Sequence, residues 1–100
     1  MEFILEKEIM MTGNEIERDW RERGFGCAER TGEPGEVWHD LLYDADALFM
    51  VIEGGMEIDI AGLARQPESG EEILIPAETV HVVRIVGDIP ARWLQGLRQM

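Results

Sequence analysis

The twelve residues from Gly70 to His81, GEEILIPAETVH, constrain this chain more than any others. Three apolar residues (Ile73, Leu74, Ile75) form a short β run bounded by turn residues. Pro76 ends that run because it has no N–H to give to a strand ladder. His81 then opens a second β run. The spacing is a glycine, five residues, a proline, four residues and a histidine. Two consecutive strands joined by a fixed turn therefore carry an imidazole at a defined place.

The rest of the chain after Phe25 has the same character. Short stretches of β-formers alternate with turn signals at Thr31-Gly32-Glu33-Pro34-Gly35, Gly54-Gly55, Gln66–Gly70 and Gly87-Asp88-Ile89-Pro90. Regular punctuation of this kind indicates an antiparallel sandwich or barrel. Gly54-Gly55 predicts a two-residue hairpin between LFMVIE and MEIDI. Met56, Ile58 and Ile60 alternate with Glu57, Asp59 and Ala61, giving one buried and one wet face. A last strand near Ala91–Leu97 carries Trp93. Before Phe25, EFILE at residues 2–6 reads as an edge strand, and one short helix follows. Thr12 and Asn14 are its capping residues, and Glu15 and Glu17 suit its positive end. Ile16 and Trp20 share one face, Arg21 and Arg23 lie near the C-terminal end, and Gly24 is the stop. The chain reads as one domain, residues 1–100, with a barrel over about 25–98 and the strand and helix in 2–24.

Charge and cysteine usage narrow the function classes. With 9 basic and 21 acidic residues the net charge is −12, which repels nucleic acid and anionic membranes. The acids are dispersed, as on a solvated surface. The single Cys27 excludes an internal disulfide and has no neighbouring base, so it reads as a packed side chain. The N-terminus, MEFILEKEI, has acids where a signal peptide carries Lys or Arg, and no segment has the length of a membrane span. A cytoplasmic protein is the expectation.

The run from Gly35 to Leu97 resembles the cupins. That resemblance implies an all-β fold, an antiparallel jelly-roll β-barrel, here with one short N-terminal helix. It also implies a metal near the barrel centre, held by a His-x-His pair, a glutamate and the histidine of a second motif. Gly70, Pro76 and His81 match the second motif, but Glu78 replaces its turn glycine. A different turn type with Glu78 on the surface follows, since glycine is favoured where φ is positive. If Gly54 is the first-motif glycine, the glutamate position falls on Ala47 and the histidine pair on Leu41 and Tyr43. A spacer one residue longer puts the pair on Asp40 and Leu42; the first frame is preferred because Asp46-Ala47 then stands at the family's Asp-Glu pair. In that frame His81 alone survives, whereas stable zinc or iron sites take about three or four protein ligands. The segments around Trp20–Phe25, Pro34–Trp38 and Ala91–Leu94 resemble single-domain cupins without assigned activity.

The candidate pocket is therefore His81, Tyr43, Leu41, Ala47 and Trp38. The favoured expectation is a barrel that binds a small molecule, with no metal cofactor. The alternative is an isomerase or dioxygenase using a divalent transition metal on His81, His39 and Tyr43, which share a face if their strand is unbroken. A third expectation is a fully packed structural or interaction protein. Trp20, Trp38 and Trp93 are core, interface or pocket-wall candidates, and Phe49, Met50 and Met56 are core. Arg84 and Arg92 offer either ion pairs or a clamp for an anion. A homodimer is expected, through the Phe3–Leu5 strand and from the cupin resemblance. No phosphate loop, Gly-x-Ser-x-Gly elbow or Cys-x-x-Cys is present.

Overall fold

Turn residues cut the described part of the chain into eight strands: β1 (Ala28–Gly32), β2 (Val37–Leu41), β3 (Ala47–Glu53), β4 (Gly55–Ile60), β5 (Leu63–Arg65), β6 (Glu72–Ile75), β7 (His81–Val86) and β8 (Ala91–Leu97). The computed structural model describes residues 13–99. The expected strand at Phe3–Leu5 and the Thr12 cap lie outside the described residues. The strands pair antiparallel in two four-stranded sheets, ordered β1-β8-β3-β6 and β2-β7-β4-β5.

Alternation along each strand builds the core between the sheets. Ala47, Phe49 and Val51 of β3, Ile73 and Ile75 of β6, and Ala91 and Trp93 of β8 face inward from the first sheet. Met56 and Ile58 of β4 and Val83 and Ile85 of β7 meet them from the second. Their period-2 spacing is why one face of each strand is dry. The alternation expected for Met56, Ile58 and Ile60 is present, with Met56 and Ile58 buried.

Gly54-Gly55 is not a hairpin. β3 belongs to one sheet and β4 to the other, so the pair forms a corner where the chain changes sheet. Gly54 has φ 80°, and a Cβ there would lie 2.5 Å from the Pro90 carbonyl oxygen. Only glycine fits such a corner, so the residue was a correct signal for a turn and a misleading one for pairing. The two-residue hairpin is instead Ala61-Gly62, between β4 and β5, with φ of 51° and 90°. Positive φ at both central residues is the signature of the type I′ turn that fits twisted strands.

The helix α1 (Gly13–Glu22) packs on the outer face of the first sheet. Ile16 and Trp20 are buried there against Leu48, Met50 and Leu94. The Trp20 indole N–H donates to Glu72 at 3.2 Å, and Arg23 grips the same carboxylate with two bonds of 2.9 and 2.7 Å. That guanidinium holds the Glu72 carboxyl below the usual carboxylate range. Cys27 lies at the edge of this cluster, and burial pushes its thiol pKa up, away from reactivity. Arg84 pairs with Glu57 at 2.9 Å, and Arg92 with Glu29 and Glu53 at 3.3 Å, so both arginines expected in the late strands are held by ion pairs. Among the described residues no helix is long and apolar enough to cross a membrane.

Candidate functional site

The site begins with an irregularity in β2. Trp38 pairs with Val83, and Leu41 with His81, so β2 advances three residues while β7 advances two. The extra residue is a β-bulge, and Asp40 within it has φ 52°, a conformation Asp tolerates better than most residues. The bulge turns both Trp38 and Leu41 toward the interior and leaves His39 exposed. The expectation that His39, Leu41 and Tyr43 share a face depended on an unbroken strand, and the bulge overturns it. Tyr43 is half-buried against the core, while Asp40, Leu42 and Asp44 are exposed.

Two hydrogen bonds tie this segment to the turn before His81. Asp46 Oδ1 accepts from the Ala77 N–H at 2.8 Å, and the Tyr43 carbonyl accepts from the Glu78 N–H at 2.8 Å. Glu78 has φ 59° and an exposed side chain. The turn therefore keeps the left-handed backbone a glycine would supply; the sequence expectation of a different turn type is corrected, and that of a surface Glu78 holds. A non-glycine residue in that region costs about 1–2 kcal/mol.

His81 follows as the first residue of β7 and is 1% exposed. It lies between Leu41 of β2 and Ile60 of β4. Its ring centroid is 5.0 Å from that of Tyr43 and 6.3 Å from that of Phe49. Nδ1 lies 3.1 Å from the Thr79 carbonyl oxygen. A carbonyl only accepts, so Nδ1 carries the proton and donates. Nε2 is buried with no hydrogen-bond partner among the described residues. In the neutral ring its lone pair is unmatched, in contrast to the great majority of buried polar atoms.

A cavity of about 220 Å³ opens between the sheets beside this cluster. Trp38, Leu41, Tyr43, Phe49, Val83 and Trp93 form its apolar wall, and Arg30, Thr31 and Gln95 add polar groups. Trp38 and Trp93 meet edge to face at 5.8 Å, and the Trp93 N–H donates to Gln95 Oε1 at 2.9 Å. Of the five residues of the expected pocket, Trp38, Leu41 and Tyr43 line the cavity, as does Trp93, one of the pocket-wall candidates. His81 does not, but it touches two of the walls, Tyr43 and Phe49. Ala47 is buried in the core opposite Ile75 and Leu97. The sequence reading did not single out Arg30, Thr31 or Gln95. Thr31-Gly32 reads as the start of a turn, which hid β1; Gln95 was accessible from the period of two that places it beside Trp93.

No protein-family model matches the chain, and no curated protein does. Solved structures do match. A Cupin_2 domain of an XRE-family transcriptional regulator from Enterobacter cloacae superposes with a TM-score of 0.70 at 19% identity, covering 81% of this chain and 88% of that one. The chain has the cupin fold. A conserved protein of unknown function from Streptococcus pyogenes matches at TM-score 0.68 and 19% identity, over 77% of this chain and 66% of its own. Oxalate oxidase in complex with the substrate analogue glycolate matches at 0.69 and 21%, over 77% of this chain and 43% of that one. The chain thus spans just under two thirds of the first of these two proteins and under half of the second.

The cupin resemblance implies a metal, and the described residues do not fit one. His81 Nε2 is a suitable lone pair, but its neighbours across the strands are Leu41 and Ile60. The glutamate position is Ala47, and His39 is exposed on the far side of the bulge. Among the described residues no group of three or more His, Cys, Asp and Glu converges. A phenol at Tyr43 and one imidazole are too few donors for a divalent transition ion.

Proposed function

We propose that this cupin-fold chain forms a jelly-roll barrel that binds a small organic molecule between its sheets without a transition-metal ion. One observation carries the reading: an aromatic-walled cavity of about 220 Å³ stands beside a buried histidine that has lost its companion donors. Binding sites for small molecules are concave and largely apolar, with a few polar anchors, and this cavity has that composition. The open space also speaks against the fully packed interior considered from the sequence. The oxalate oxidase of similar fold is described with a small-molecule substrate analogue, glycolate.

Elemental analysis of protein purified without chelator tests the reading, together with thermal unfolding in iron, manganese and zinc. A ligand that binds only the folded state raises the melting temperature by mass action. The expected result is substoichiometric metal and an unmoved Tm. A stoichiometric ion that disappears in His81→Ala overturns it in favour of a metal enzyme with a reduced site.

A further inference from the structure

The polar lining of the cavity points to the chemistry of its occupant. The chain is rich in Asp and Glu, yet none among the described residues lines the cavity. The polar side chains on the cavity's side are Arg30, Gln95 and Tyr43, and each can donate a hydrogen bond; Thr31, opposite Arg92, has its side chain on the other face of β1. The Gln95 carbonyl is already engaged by Trp93, which leaves its NH₂ to point elsewhere.

Arg30 is the cation in this set. In a protein of net charge −12, an arginine near the surface is expected to find a carboxylate, and Arg21, Arg23, Arg65, Arg84, Arg92 and Arg98 all do; of the other two, Arg18 is exposed on α1 and does not line the cavity, whereas Arg30 does. Arg30 has no ion pair or hydrogen bond to any described residue. Register explains where its side chain goes. Ala28, Arg30 and Gly32 stand opposite Gln95, Trp93 and Ala91, so all three share the inner face of β8. Gly32 has no side chain to spare for the cavity: a Cβ there would lie 3.0 Å from the Trp38 ring and from Ile85. Arg30 is thus the one long side chain β1 sends to this face, and it remains exposed at the mouth.

We infer that the cavity takes a small planar carboxylate, with its carboxylate on the Arg30 guanidinium and its apolar body between Trp38, Phe49 and Trp93. The inference rests on the small-molecule reading above and names the class of ligand. A guanidinium matches a carboxylate with two parallel bonds, and aromatic walls suit a flat ring. Size sets the limit. A cavity of about 150 Å³ holds benzene, so one of about 220 Å³ holds about nine non-hydrogen atoms, the size of benzoate.

The test uses three aromatic probes of similar size and different charge: benzoate, benzamide and benzylamine. The readout is the indole N–H signals of Trp38 and Trp93 in a heteronuclear NMR titration. Trp20, on α1 and buried against the outer face of the first sheet, is the internal reference. Benzoate is expected to shift both cavity signals saturably, about tenfold or more tighter than benzamide, as a charge-assisted bond provides. Benzylamine should be weakest. Arg30→Gln, an exposed substitution, should bring benzoate to the benzamide level and leave benzamide unchanged. Equal binding of benzoate and benzamide, or a preference that survives Arg30→Gln, overturns the carboxylate assignment while the small-molecule reading stands. No shift with any probe at millimolar concentration overturns both.

Discussion

Replacing His81 by leucine is expected to stabilise the protein, which is unusual for a buried residue where the cupin resemblance implies a ligand position. The magnitude follows from its two nitrogens. Nε2 is buried without a partner among the described residues, and an unsatisfied buried acceptor costs about 1–3 kcal/mol. Nδ1 donates one bond to the Thr79 carbonyl, with a net worth of about 0.5–1.5 kcal/mol. Thr79 is only half-buried, so water can take that bond over. Leucine has similar bulk and keeps contact with the Tyr43 and Phe49 rings and with Leu41 and Ile60 beside it. The balance is a gain of ~1 kcal/mol. For a domain of this size each kcal/mol moves Tm by about 4–8 °C. Thermal and urea unfolding in the presence of a chelator measure it, with His81→Ala as the companion. The alanine variant removes the same nitrogens but leaves a hole between two rings, so it should fall below wild type. If the leucine variant also falls below wild type in chelator, Nε2 has a partner in solution and the reasoning from its isolation fails.

Two further outcomes are expected. Glu78→Gly should raise stability by roughly 0.5–1 kcal/mol: it removes about 1–2 kcal/mol of left-handed strain, against about 0.4–1 kcal/mol for the freer unfolded chain; a drop in urea midpoint would show that the side chain offsets the strain. The Arg23–Glu72 grip should make α1 docking sensitive to acid: the Glu72 carboxyl titrates lower folded than unfolded, so its contribution is complete above about pH 4.3 and fades as pH falls through the lower folded value. The Tm gap between wild type and Glu72→Gln, worth at most about 1 kcal/mol for so exposed a pair, should close as acid is added; a gap that widens contradicts that sign.

The pattern of the sequence carries information about faces better than about connections. Ile73 and Ile75, or Met56 and Ile58, alternate because each strand has one dry side, and local chemistry alone imposes that. Gly54-Gly55 looked like a hairpin because the same positive φ serves a hairpin and a corner; which one forms depends on Pro90 and Ala91, distant in sequence, leaving no room for a Cβ. Ala61-Gly62 was the harder turn to see, since alanine carries no turn preference and adopts φ 51° only because β4 and β5 pair around it. At the site, Leu41, Tyr43 and Trp38 were accessible through motif spacing. Arg30 was not, because its place depends on β1 joining the far edge of a sheet next to the last strand of the chain.

One backbone event links the two unusual features of this interior. Counting back from Leu41 along an unbroken strand, His39 would face inward and Trp38 outward. The extra residue in β2, with Asp40 in a left-handed conformation, exchanges them. The bulge thereby removes the second imidazole from His81 and supplies, in its place, the tryptophan that meets Trp93 and walls the cavity. A donor-poor histidine and an aromatic-lined cavity are then two consequences of the same register shift, which leaves open space between the sheets where the cupin resemblance implies ligands for an ion.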